Sequence, residues 1–359
     1  MKKENSIIII GAGKTGRGFL ARLMQEAGKN IIFIDKNKEL VQKLRATKSY
    51  DIEFFGNCRE KTVITDYSIY TWEEKEVKDL LGEAELLLVS VGGDNLEEVG
   101  EKLSEVLPKE KKTYIITAEN ASLPAQRLKK AIGEDYVFVS ESTVFCTTIE
   151  KEGVHISSEN YPYLQYNQEL LGSKRLDITT LKPIENFENF LTRKLYTYNA
   201  ASCVIAYLGW LKGYKIYSEA AADKEILEML DENYRVTNKV LCREYGYEEK
   251  DQEEFAKLSR TKFLDPTIVD TVERNARDPK RKLAKSERLL GPIRLLHKYH
   301  ESAEVLEKTV AAALKYHNPK EENWEKLLSG KNIEELLFEI CGLEPEEEIS
   351  KNIIKYYKE

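Results

Sequence analysis

The sequence lacks any apolar run long enough to cross a lipid bilayer. Crossing requires about 20 consecutive apolar residues, whereas the longest run near the start of the chain extends only from Ile7 to Ile10. That run is also far shorter than the hydrophobic region of a secretory signal. We therefore expect a cytoplasmic protein with no membrane partner.

Cysteine and histidine are scarce and scattered. None of the five cysteines has the CxxC spacing of a zinc or redox site, and none of the four histidines is paired with Glu or Cys at a metal-ligand spacing. These residues are Cys58, Cys146, Cys203, Cys242, Cys341, His155, His297, His300 and His317. We expect free, mostly buried thiols and no protein-bound metal.

The sequence also lacks a strong excess of either charge. Its 55 Lys and Arg residues and 62 Asp and Glu residues leave a net charge of −7, so no overall field favours nucleic acid. A phosphorylated ligand would need a local basic pocket. With 359 residues, 42% of them hydrophobic, the chain is longer than one core usually accommodates, which predicts two domains.

Short apolar runs alternate with amphipathic stretches in the first half of the chain. The runs start at Ile7, Ile31, Glu85, Tyr114 and Tyr136. They lack in/out alternation, which is typical of parallel strands covered on both faces. From about residue 186 the apolar residues recur three and four apart, which predicts helices.

This pattern predicts an α/β protein. We expect an N-terminal Rossmann-type doubly wound parallel sheet in residues 1–187, followed by a mostly α-helical C-terminal substrate domain in residues 188–359. The segment 151–185 contains Pro, Gly and polar clusters, and we interpret it as a connecting region.

A glycine pattern follows the first predicted strand. Gly11, Gly13 and Gly16 have G-x-G-x-x-G spacing between a strand and a helix, the context in which this motif binds a dinucleotide. Gly11 permits the tight turn, Gly13 lets the backbone approach a pyrophosphate, and Gly16 lets the helix pack on the strand. The alternative is that these glycines form only a strand-to-helix turn.

An acidic residue follows at the distance that this motif requires. The second strand ends in Asp35, 22 positions after Gly13, close to the ~20 at which an acid meets the ribose 2′-hydroxyl. Asp35 would repel a 2′-phosphate, which favours NAD over NADP, although Lys36 follows at once and would soften that repulsion. Gly92, in SVGGDN at another strand end, is either a further cofactor contact or a turn residue.

Three polar residues interrupt an apolar helix in the stretch KLYTYNAASCVIAYLG. By 3.6-residue periodicity Asn199 and Ser202 share a face, and Lys194 lies roughly 80° around the axis from Ser202. A Lys beside a cofactor and partly removed from water has a lowered pKa and accepts a hydroxyl proton as hydride leaves. Asn donates to an oxygen that becomes anionic. The residues alone equally allow a surface cation and two ordinary polar groups.

Four segments resemble one family and together cover nearly the whole chain. They are GAGKTGRGF near the start, AEN at residues 118–120, the K-x4-N helix of Lys194, and the stretch 260–292 with RDPKRKL and RLLGP. On these motifs the chain resembles the polyol-specific long-chain dehydrogenases. The resemblance implies that Lys194 is the general base and that Asn199 and Asn120 polarise the carbonyl oxygen.

Two positions depart from this family's pattern. The family's substrate-binding His falls on Ser202, which still donates and accepts a hydrogen bond but has a shorter side chain. The family's usual Asp-Arg pair falls on Phe145 and Cys146, so a fork-shaped donor is lost. We expect a changed substrate reach, or another group such as His297 or His300 in place of the missing imidazole.

Seven Lys and Arg residues lie within positions 274–288 of an otherwise acidic chain. This density suits a phosphate held by charge-assisted hydrogen bonds, although a solvated face is the alternative. The resemblance favours Arg277, Arg281 and Lys282 as members of a substrate pocket.

The predicted function is an NAD-dependent oxidoreductase that interconverts a polyol phosphate and a ketose phosphate, such as mannitol 1-phosphate and fructose 6-phosphate. The alternatives are a dehydrogenase of the same fold that acts on another polyol or a sugar acid, and a non-catalytic NAD-binding sensor. A pure binder would need none of Lys194, Asn199 and Asn120. Members of the family are often monomers, so the resemblance favours a monomer.

Overall fold

The computed structural model describes residues 5–359, apart from the side chains of residues 57–59. The chain divides into two compact units, Met1–Phe187 and Glu188–Glu359. The side chain of Cys58 lies outside the described residues. Of the other cysteines, Cys146, Cys203 and Cys341 are buried and Cys242 is partly buried.

The strands of the first unit follow one another with helices between many of them. They are β1 Ser6–Ile10, β2 Asn30–Ile34, β3 Tyr50–Phe54, β4 Asn57–Ile64, β5 Tyr67–Tyr70, β6 Leu86–Val89, β7 Thr113–Thr117, β8 Val137–Thr143, β9 Thr148–Glu150, β10 Ile156–Ser158, β11 Leu164–Asn167 and β12 Leu181–Ile184. The helices of this unit are α1 Ala21–Glu26, α2 Lys38–Thr47, α3 Lys75–Glu83, α4 Leu96–Val106 and α5 Pro124–Ile132.

Within residues 5–359, eight strands form one sheet in the order β12-β11-β8-β7-β6-β1-β2-β5. From β5 to β8 every pair of neighbours is parallel. Taken in chain order, these six strands have the 3-2-1-4-5-6 arrangement of a dinucleotide-binding doubly wound sheet. The predicted fold class is confirmed, and the strand order reverses between β1 and β6.

Both faces of the central strands are buried, which explains why their sequences do not alternate. Ile7 and Ile9 of β1 belong to one hydrophobic cluster, whereas Ile8 and Ile10 belong to another. All four side chains are at most 3% exposed. Crossover helices therefore cover the sheet on each side, as parallel connections require.

The prediction that residues 151–185 form a connecting region is wrong. The segment contains β10, β11 and β12, and β11 pairs antiparallel with β8 and parallel with β12 to extend the large sheet. Pro183 lies in β12, which is an edge strand and so tolerates a residue without a backbone N–H. The Pro and Gly residues that suggested a loop therefore lie within or between short strands.

A smaller sheet, in the order β4-β3-β10-β9, packs against the segment that follows the glycine motif. A Cβ at Gly18 would lie 2.5 Å from Cγ2 of Ile156 in β10, so the approach requires glycine. Arg17, which is buried, donates to Glu150 of β9 at 3.0 Å. The start of the first crossover helix is therefore fixed by this sheet.

The second unit is helical, as predicted. Its helices are α6 Phe187–Lys194, α7 Ala200–Leu211, α8 Tyr217–Ala222, α9 Lys224–Tyr245, α10 Glu249–Leu264, α11 Val272–Ala276, α12 Pro279–Lys282, α13 Leu290–Lys298, α14 Glu304–Leu314, α15 Glu322–Leu328, α16 Ile333–Leu336 and α17 Glu348–Lys358. Among the residues that the structure describes, no helix is both long enough and apolar enough to cross a membrane.

Helix α7 is the centre of the second unit. It packs against α8, α9, α11 and α14, and its residues from Ala200 to Gly209 are buried apart from Ser202 and Leu208. A helix that is apolar on nearly all sides belongs in a core. Ser202, which is partly exposed, is the polar residue that interrupts this buried surface near the N-terminal end of the helix.

Candidate active site

A cavity of about 320 Å³ lies beside the carboxyl ends of β1 and β6, where the strand order of the large sheet reverses. Open α/β sheets bind ligands at this point. The cavity is lined by Ile10, Gly11, Gly13, Lys14, Thr15, Ile34, Asp35, Lys36, Trp72, Ser90, Val91, Gly92, Asn95, Glu98, Val99 and Glu119. Of the predicted cofactor residues, Gly16 is not part of this lining.

The three motif glycines differ in what the fold demands of them. A Cβ at Gly11 would lie 2.0 Å from the carbonyl oxygen of Ser90, and a Cβ at Gly16 would lie 2.0 Å from the carbonyl oxygen of Gly11. Non-bonded atoms do not approach so closely. At Gly13, by contrast, no atom lies within 4 Å of the position a Cβ would occupy. The fold places no demand on Gly13, so the open space fits a ligand that approaches the backbone, as a pyrophosphate does.

Asp35 is held in place at the end of β2. Its Oδ2 accepts a hydrogen bond from the backbone N–H of Ala12 at 2.6 Å, and its Oδ1 accepts one from the N–H of Asn37 at 2.8 Å. Each carboxylate oxygen has a second lone pair. The carboxylate is thus oriented by the backbone and retains capacity for ribose hydroxyls.

Lys36 is paired with residues other than Asp35. Its Nζ donates to Oδ1 of Asn95 at 2.7 Å and to Glu98 at 2.9 Å. The hydrogen bond from Lys36 is the largest of the effects that lower the pKa of Glu98. The Lys36 charge is therefore compensated by Glu98, which leaves the repulsion between Asp35 and a 2′-phosphate in force.

Gly92 lines the cavity, and its N–H is already used. The N–H groups of Val91 and Gly92 donate to Oε1 of Glu119 at 2.6 and 2.8 Å. Burial raises the pKa of Glu119, although these two bonds oppose the rise. The sequence pattern did not predict Glu119, and its only signal was its place beside Asn120 in the AEN segment.

The other predicted positions of the first unit lie away from the cavity lining. Asn120 is exposed, three residues after the end of β7. The ring of Phe145 stacks on Tyr161 with centroids 5.3 Å apart, and Sγ of Cys146 lies 3.1 Å from Oγ of Ser158. Packed side chains thus fill the places where the resembling family has Asp and Arg.

In the second unit, Lys194 and Asn199 lie at the two ends of a π-helical turn. Lys194 is the last residue of α6, and the turn Leu195–Asn199 joins it to α7. The N–H of Ala200 donates to the carbonyl of Leu195, five residues earlier. In a regular α-helix, residues five apart differ by about 140° around the axis.

A bond between residues five apart changes this relation. It places residue i+5 about one turn above residue i, so that Asn199 rotates toward the face of Lys194. The regular 3.6-residue spacing assumed from the sequence is therefore wrong across this turn. Single π turns inside helices are frequent at functional sites.

Lys194 has a strongly altered acidity. Its pKa is lowered from 10.5 to about 7, chiefly because the ammonium is removed from water and further because Lys262 and Arg288 are positive. An amine with a pKa near neutrality is able both to accept and to return a proton at physiological pH.

A second cavity, of about 530 Å³, opens at the start of α7. It is lined by Asn199, Ser202, Cys203, Arg274, Asn275, Arg277, Asp278, Arg281, Lys282, Arg288 and Glu321. The cavity brings the predicted Asn199 and Ser202 together with the predicted Arg277, Arg281 and Lys282. Lys194 is not part of the lining, but Arg288, which lowers its pKa, is.

Cations outnumber carboxylates in this wall, with five Lys and Arg residues against two acids. Arg281 pairs with Asp278 at 2.6 Å, whereas Nε of Arg277 donates only to the carbonyl of Arg274, at 3.2 Å. Burial lowers the pKa of Lys282. Asp278, which lies between Arg277 and Arg281, has a left-handed backbone conformation with φ of +58°. Both arginines line the same cavity.

The hydroxyl of Ser202 has a protein partner. The buried phenol of Tyr217 donates to Oγ of Ser202 at 3.1 Å. His297 instead bonds Glu307 at 2.9 Å, and neither His297 nor His300 belongs to the lining of this cavity. Tyr217, rather than an imidazole, is therefore the group beside Ser202.

Two family models match the chain. The mannitol dehydrogenase Rossmann domain matches residues 5–150, and the mannitol dehydrogenase C-terminal domain matches residues 186–349. The chain belongs to the mannitol dehydrogenase family. As a member of this family it is an NAD-dependent polyol dehydrogenase, which confirms the predicted enzyme class and cofactor.

Two relatives named mannitol-1-phosphate 5-dehydrogenase are distant but match nearly end to end. The mannitol-1-phosphate 5-dehydrogenase of Buchnera aphidicola subsp. Acyrthosiphon pisum (strain 5A) is 26% identical over 93% of each chain. That of Bacillus subtilis (strain 168) is 28% identical over 96% of this chain and 97% of its own.

Two solved structures share the fold. The Pseudomonas fluorescens mannitol 2-dehydrogenase, in a ternary complex with NAD and D-mannitol, has a TM-score of 0.70 at 14% identity and covers 99% of this chain and 91% of its own. A substrate-free D-sorbitol dehydrogenase has a TM-score of 0.79 at 14% identity and covers 99% of this chain and 94% of its own. At this identity the likeness establishes the fold of the family.

The contrast between Gly13 and Gly16 gives a paired test of the cofactor loop. Gly13→Ala adds a methyl group only where a pyrophosphate would approach, so we expect the free energy of unfolding to change by less than about 1 kcal/mol. We expect the Kd for NADH to rise at least about tenfold. Urea unfolding and fluorescence titration with NADH would measure both quantities.

Gly16→Ala is the matched control. Its Cβ would overlap the Gly11 carbonyl oxygen at 2.0 Å, so we expect the free energy of unfolding to fall by more than about 2 kcal/mol. A Gly13→Ala variant that binds NADH as tightly as the parent would contradict the role given to the open space.

Glu98→Gln tests whether the Lys36–Glu98 pair affects the choice between NAD and NADP in this mannitol dehydrogenase family member. The change leaves the Lys36 charge uncompensated, so NADPH should gain relative to NADH, and we expect the ratio of their Kd values to fall about three- to tenfold. Glu97→Gln is the control, because Glu97 pairs with Arg127 at 2.7 Å and does not line the cavity. An unchanged ratio in Glu98→Gln would show that Glu98 has no part in cofactor choice.

Proposed function

We propose that the protein interconverts a polyol phosphate and a ketose phosphate, of the type mannitol 1-phosphate and fructose 6-phosphate, with Lys194 as the general base. The observation that carries the proposal is a Lys with a pKa of about 7 at one end of a π turn whose other end, Asn199, lines a cation-rich cavity. The first unit would bind NAD and the second unit the substrate.

Lys194 supplies the proton chemistry. In its neutral form the amine accepts the proton of the substrate hydroxyl, and in its charged form it returns that proton to the carbonyl oxygen during reduction. Its low pKa means that both forms are populated near pH 7. Bound NAD would accept the hydride from the same carbon.

Asn199 supplies hydrogen-bond donors to the oxygen that gains negative charge. Asn199 is the last residue of the π turn and lines the cavity. Donors fixed in place before the reaction stabilise an oxyanion without reorganisation. The family resemblance gives Asn120 the same role.

Ser202 would contact a neighbouring hydroxyl of the substrate. Because its Oγ accepts the Tyr217 hydroxyl at 3.1 Å, its own proton is available to the cavity. Ser202 is thus favoured as a donor to a substrate oxygen.

The cationic wall supports a phosphorylated substrate. Arg277 has no carboxylate partner among the residues described, and its guanidinium offers planar paired donors that match phosphate oxygens. Arg281 and Lys282 would add charge on the same wall. The relatives named mannitol-1-phosphate 5-dehydrogenase agree with this choice of substrate class.

The cofactor residues fit NAD. The open position at Gly13 would admit the pyrophosphate, and Asp35 would accept hydrogen bonds from the ribose hydroxyls. The Lys36–Glu98 pair, at 2.9 Å, offsets the charge of the Lys that follows Asp35, which favours NAD over NADP.

A sugar acid is the second candidate substrate. The same cationic wall would hold a carboxylate, because Arg binds both anions in a bidentate manner. A non-catalytic NAD sensor is less compatible with the structure, since binding alone gives no reason to lower the pKa of a Lys to about 7.

The decisive experiment follows NADH absorbance with purified protein and fructose 6-phosphate, beside fructose and a panel of keto-sugar acids. Oxidation of NADH that is fastest with fructose 6-phosphate supports the proposal. Turnover only with unphosphorylated or carboxylated ketoses would replace the substrate, and tight NADH binding with no turnover would favour a sensor.

The pH dependence of turnover should follow Lys194. Because the neutral amine is required for oxidation, kcat/KM for the polyol should rise about tenfold per pH unit below pH 7 and level off above it, while ketose reduction should fall as the pH rises past 7. Lys194→Ala should lower kcat by about 10²–10⁴-fold in both directions. Its Kd for NADH, measured by fluorescence, should stay within about twofold of the parent.

Lys262→Gln tests the electrostatic origin of that pKa. Loss of a positive neighbour should raise the pKa of Lys194, so the oxidation profile should move to higher pH by about half a unit. Lys257→Gln on the same helix is the control, since Lys257 is exposed and is not among the charges that act on Lys194. Equal profiles for both variants would contradict this account.

Arg277→Gln tests the phosphate contact. Loss of charge-assisted bonds should raise KM for the phosphorylated ketose about 10- to 100-fold and leave KM for unphosphorylated fructose nearly unchanged. Lys280→Gln is the control, because Lys280 belongs to the same basic run but does not line the cavity. A similar KM increase for both ketoses in Arg277→Gln would argue against phosphate recognition there.

A further inference from the structure

The π turn is bonded on one side by a buried carboxamide. Gln252, on α10, is fully buried. Its Oε1 accepts a hydrogen bond from Nε of Arg193 at 2.7 Å, and its Nε2 donates to Oγ1 of Thr197 at 3.1 Å and to Oδ1 of Asn238 at 2.8 Å. Both N–H groups and the carbonyl oxygen of Gln252 are therefore used.

The partners of Gln252 lie on either side of Lys194. Arg193 immediately precedes Lys194 in α6, and Thr197 lies inside the π turn, two residues before Asn199. One side chain on a neighbouring helix thus bonds both the entry to the turn and its middle. The distance from Arg193 to Thr197 depends on whether the backbone hydrogen bond that closes the turn joins residues five apart, as here, or four apart.

Arg193 is held in place by several contacts, so its hydrogen bond fixes the position of one end of the Gln252 carboxamide. Its guanidinium lies over the rings of Tyr247 and Phe255, 4.5 and 4.2 Å from their centroids. It also pairs with Asp251 at 2.7 Å, and its side chain is 7% exposed. From this fixed end, the amide of Gln252 reaches Thr197.

The chemistry of this contact is specific to a carboxamide. A carboxylate at position 252 would accept from Arg193 but would not donate to Thr197 or Asn238, and an aliphatic side chain would leave Arg193 Nε and Thr197 Oγ1 without this partner. Buried groups that lose a hydrogen-bond partner are destabilised. Because a π turn has more residues per turn than an α-helix, a regular α-helical closure would place Thr197 at a different angle from Arg193. The bonds from Gln252 to both residues are made to the π closure.

We propose that Gln252 is a positioning residue that holds the π turn in register, so that Asn199 and Lys194 act on one substrate oxygen. The inference rests on the proposed roles of Lys194 and Asn199. It goes beyond them in assigning the catalytic geometry to a side chain that touches neither substrate nor cofactor.

Thr197→Val and Gln252→Leu test this assignment. Thr197→Val keeps the shape of the side chain and removes the hydroxyl that accepts from Gln252, and we expect kcat for ketose reduction to fall about 10-fold. Gln252→Leu should lower kcat about 10- to 100-fold. In both variants the Kd for NADH should stay within about twofold of the parent. Asn238→Ala is the matched control, because it removes a partner of the same Nε2 away from the turn.

A double variant separates positioning from general destabilisation. If Gln252 acts through the placement of Asn199, Gln252→Leu should cost much less in kcat when Asn199 is already Ala, because the effects of coupled residues are not additive. Urea unfolding of each variant shows that kcat is compared among folded proteins. Should Gln252→Leu fail to fold, Thr197→Val combined with Asn199→Ala gives the same test.

The outcomes distinguish this inference from the proposed function. Loss of activity in Asn199→Ala together with full kcat in Thr197→Val, or additive losses in the double variant, would overturn the positioning role and leave the function standing. Full activity in Asn199→Ala would overturn the role of Asn199 itself and with it the reason for positioning the turn.

Discussion

The charge on Lys194 is set by two effects that act in the same direction, removal from water and repulsion from nearby cations. Desolvation is the larger effect, and Lys262 and Arg288 add to it. Arg288 also lines the cavity with Arg277 and Arg281. Arg288 therefore has two effects, because it contributes to the lowered pKa of Lys194 and adds positive charge to the cavity wall.

The features that the sequence predicted well are those fixed by a few neighbouring residues. The spacing of Gly11, Gly13 and Gly16 depends on one turn, and the end of β2 places Asp35 beside it. The parallel strands were also predictable, since burial on both faces gives continuous apolar runs. Strand β3 was not identified, although Tyr50, Ile52 and Phe54 alternate with polar residues in the pattern of a half-buried strand.

The features that were not predicted depend on contacts distant in sequence. Nothing within KLYTYNAAS shows that the helix widens at Leu195, because the bonds that accompany the π turn come from Gln252, more than fifty residues later. Tyr217 beside Ser202 and Tyr161 beside Phe145 are of the same kind. Gln252, Tyr217 and Tyr161 show no special pattern in the sequence, and their contacts with Thr197, Ser202 and Phe145 are visible only in the folded structure.

Arg288 lines the cation-rich cavity and also lowers the pKa of Lys194. Anion binding in the cavity and protonation of Lys194 are therefore coupled. On the proposed function, a phosphate bound beside Arg288 would offset part of the positive field that lowers the pKa of Lys194. Anion binding and protonation of Lys194 would then favour each other, and this linkage is reciprocal. A phosphorylated ligand, whether polyol or ketose, would thus raise the pKa of Lys194 in the complex relative to an unphosphorylated one. The pH at which oxidation and reduction exchange their advantage in rate would then depend on the charge of the ligand, while the net direction stays set by concentrations, pH and the ratio of NADH to NAD.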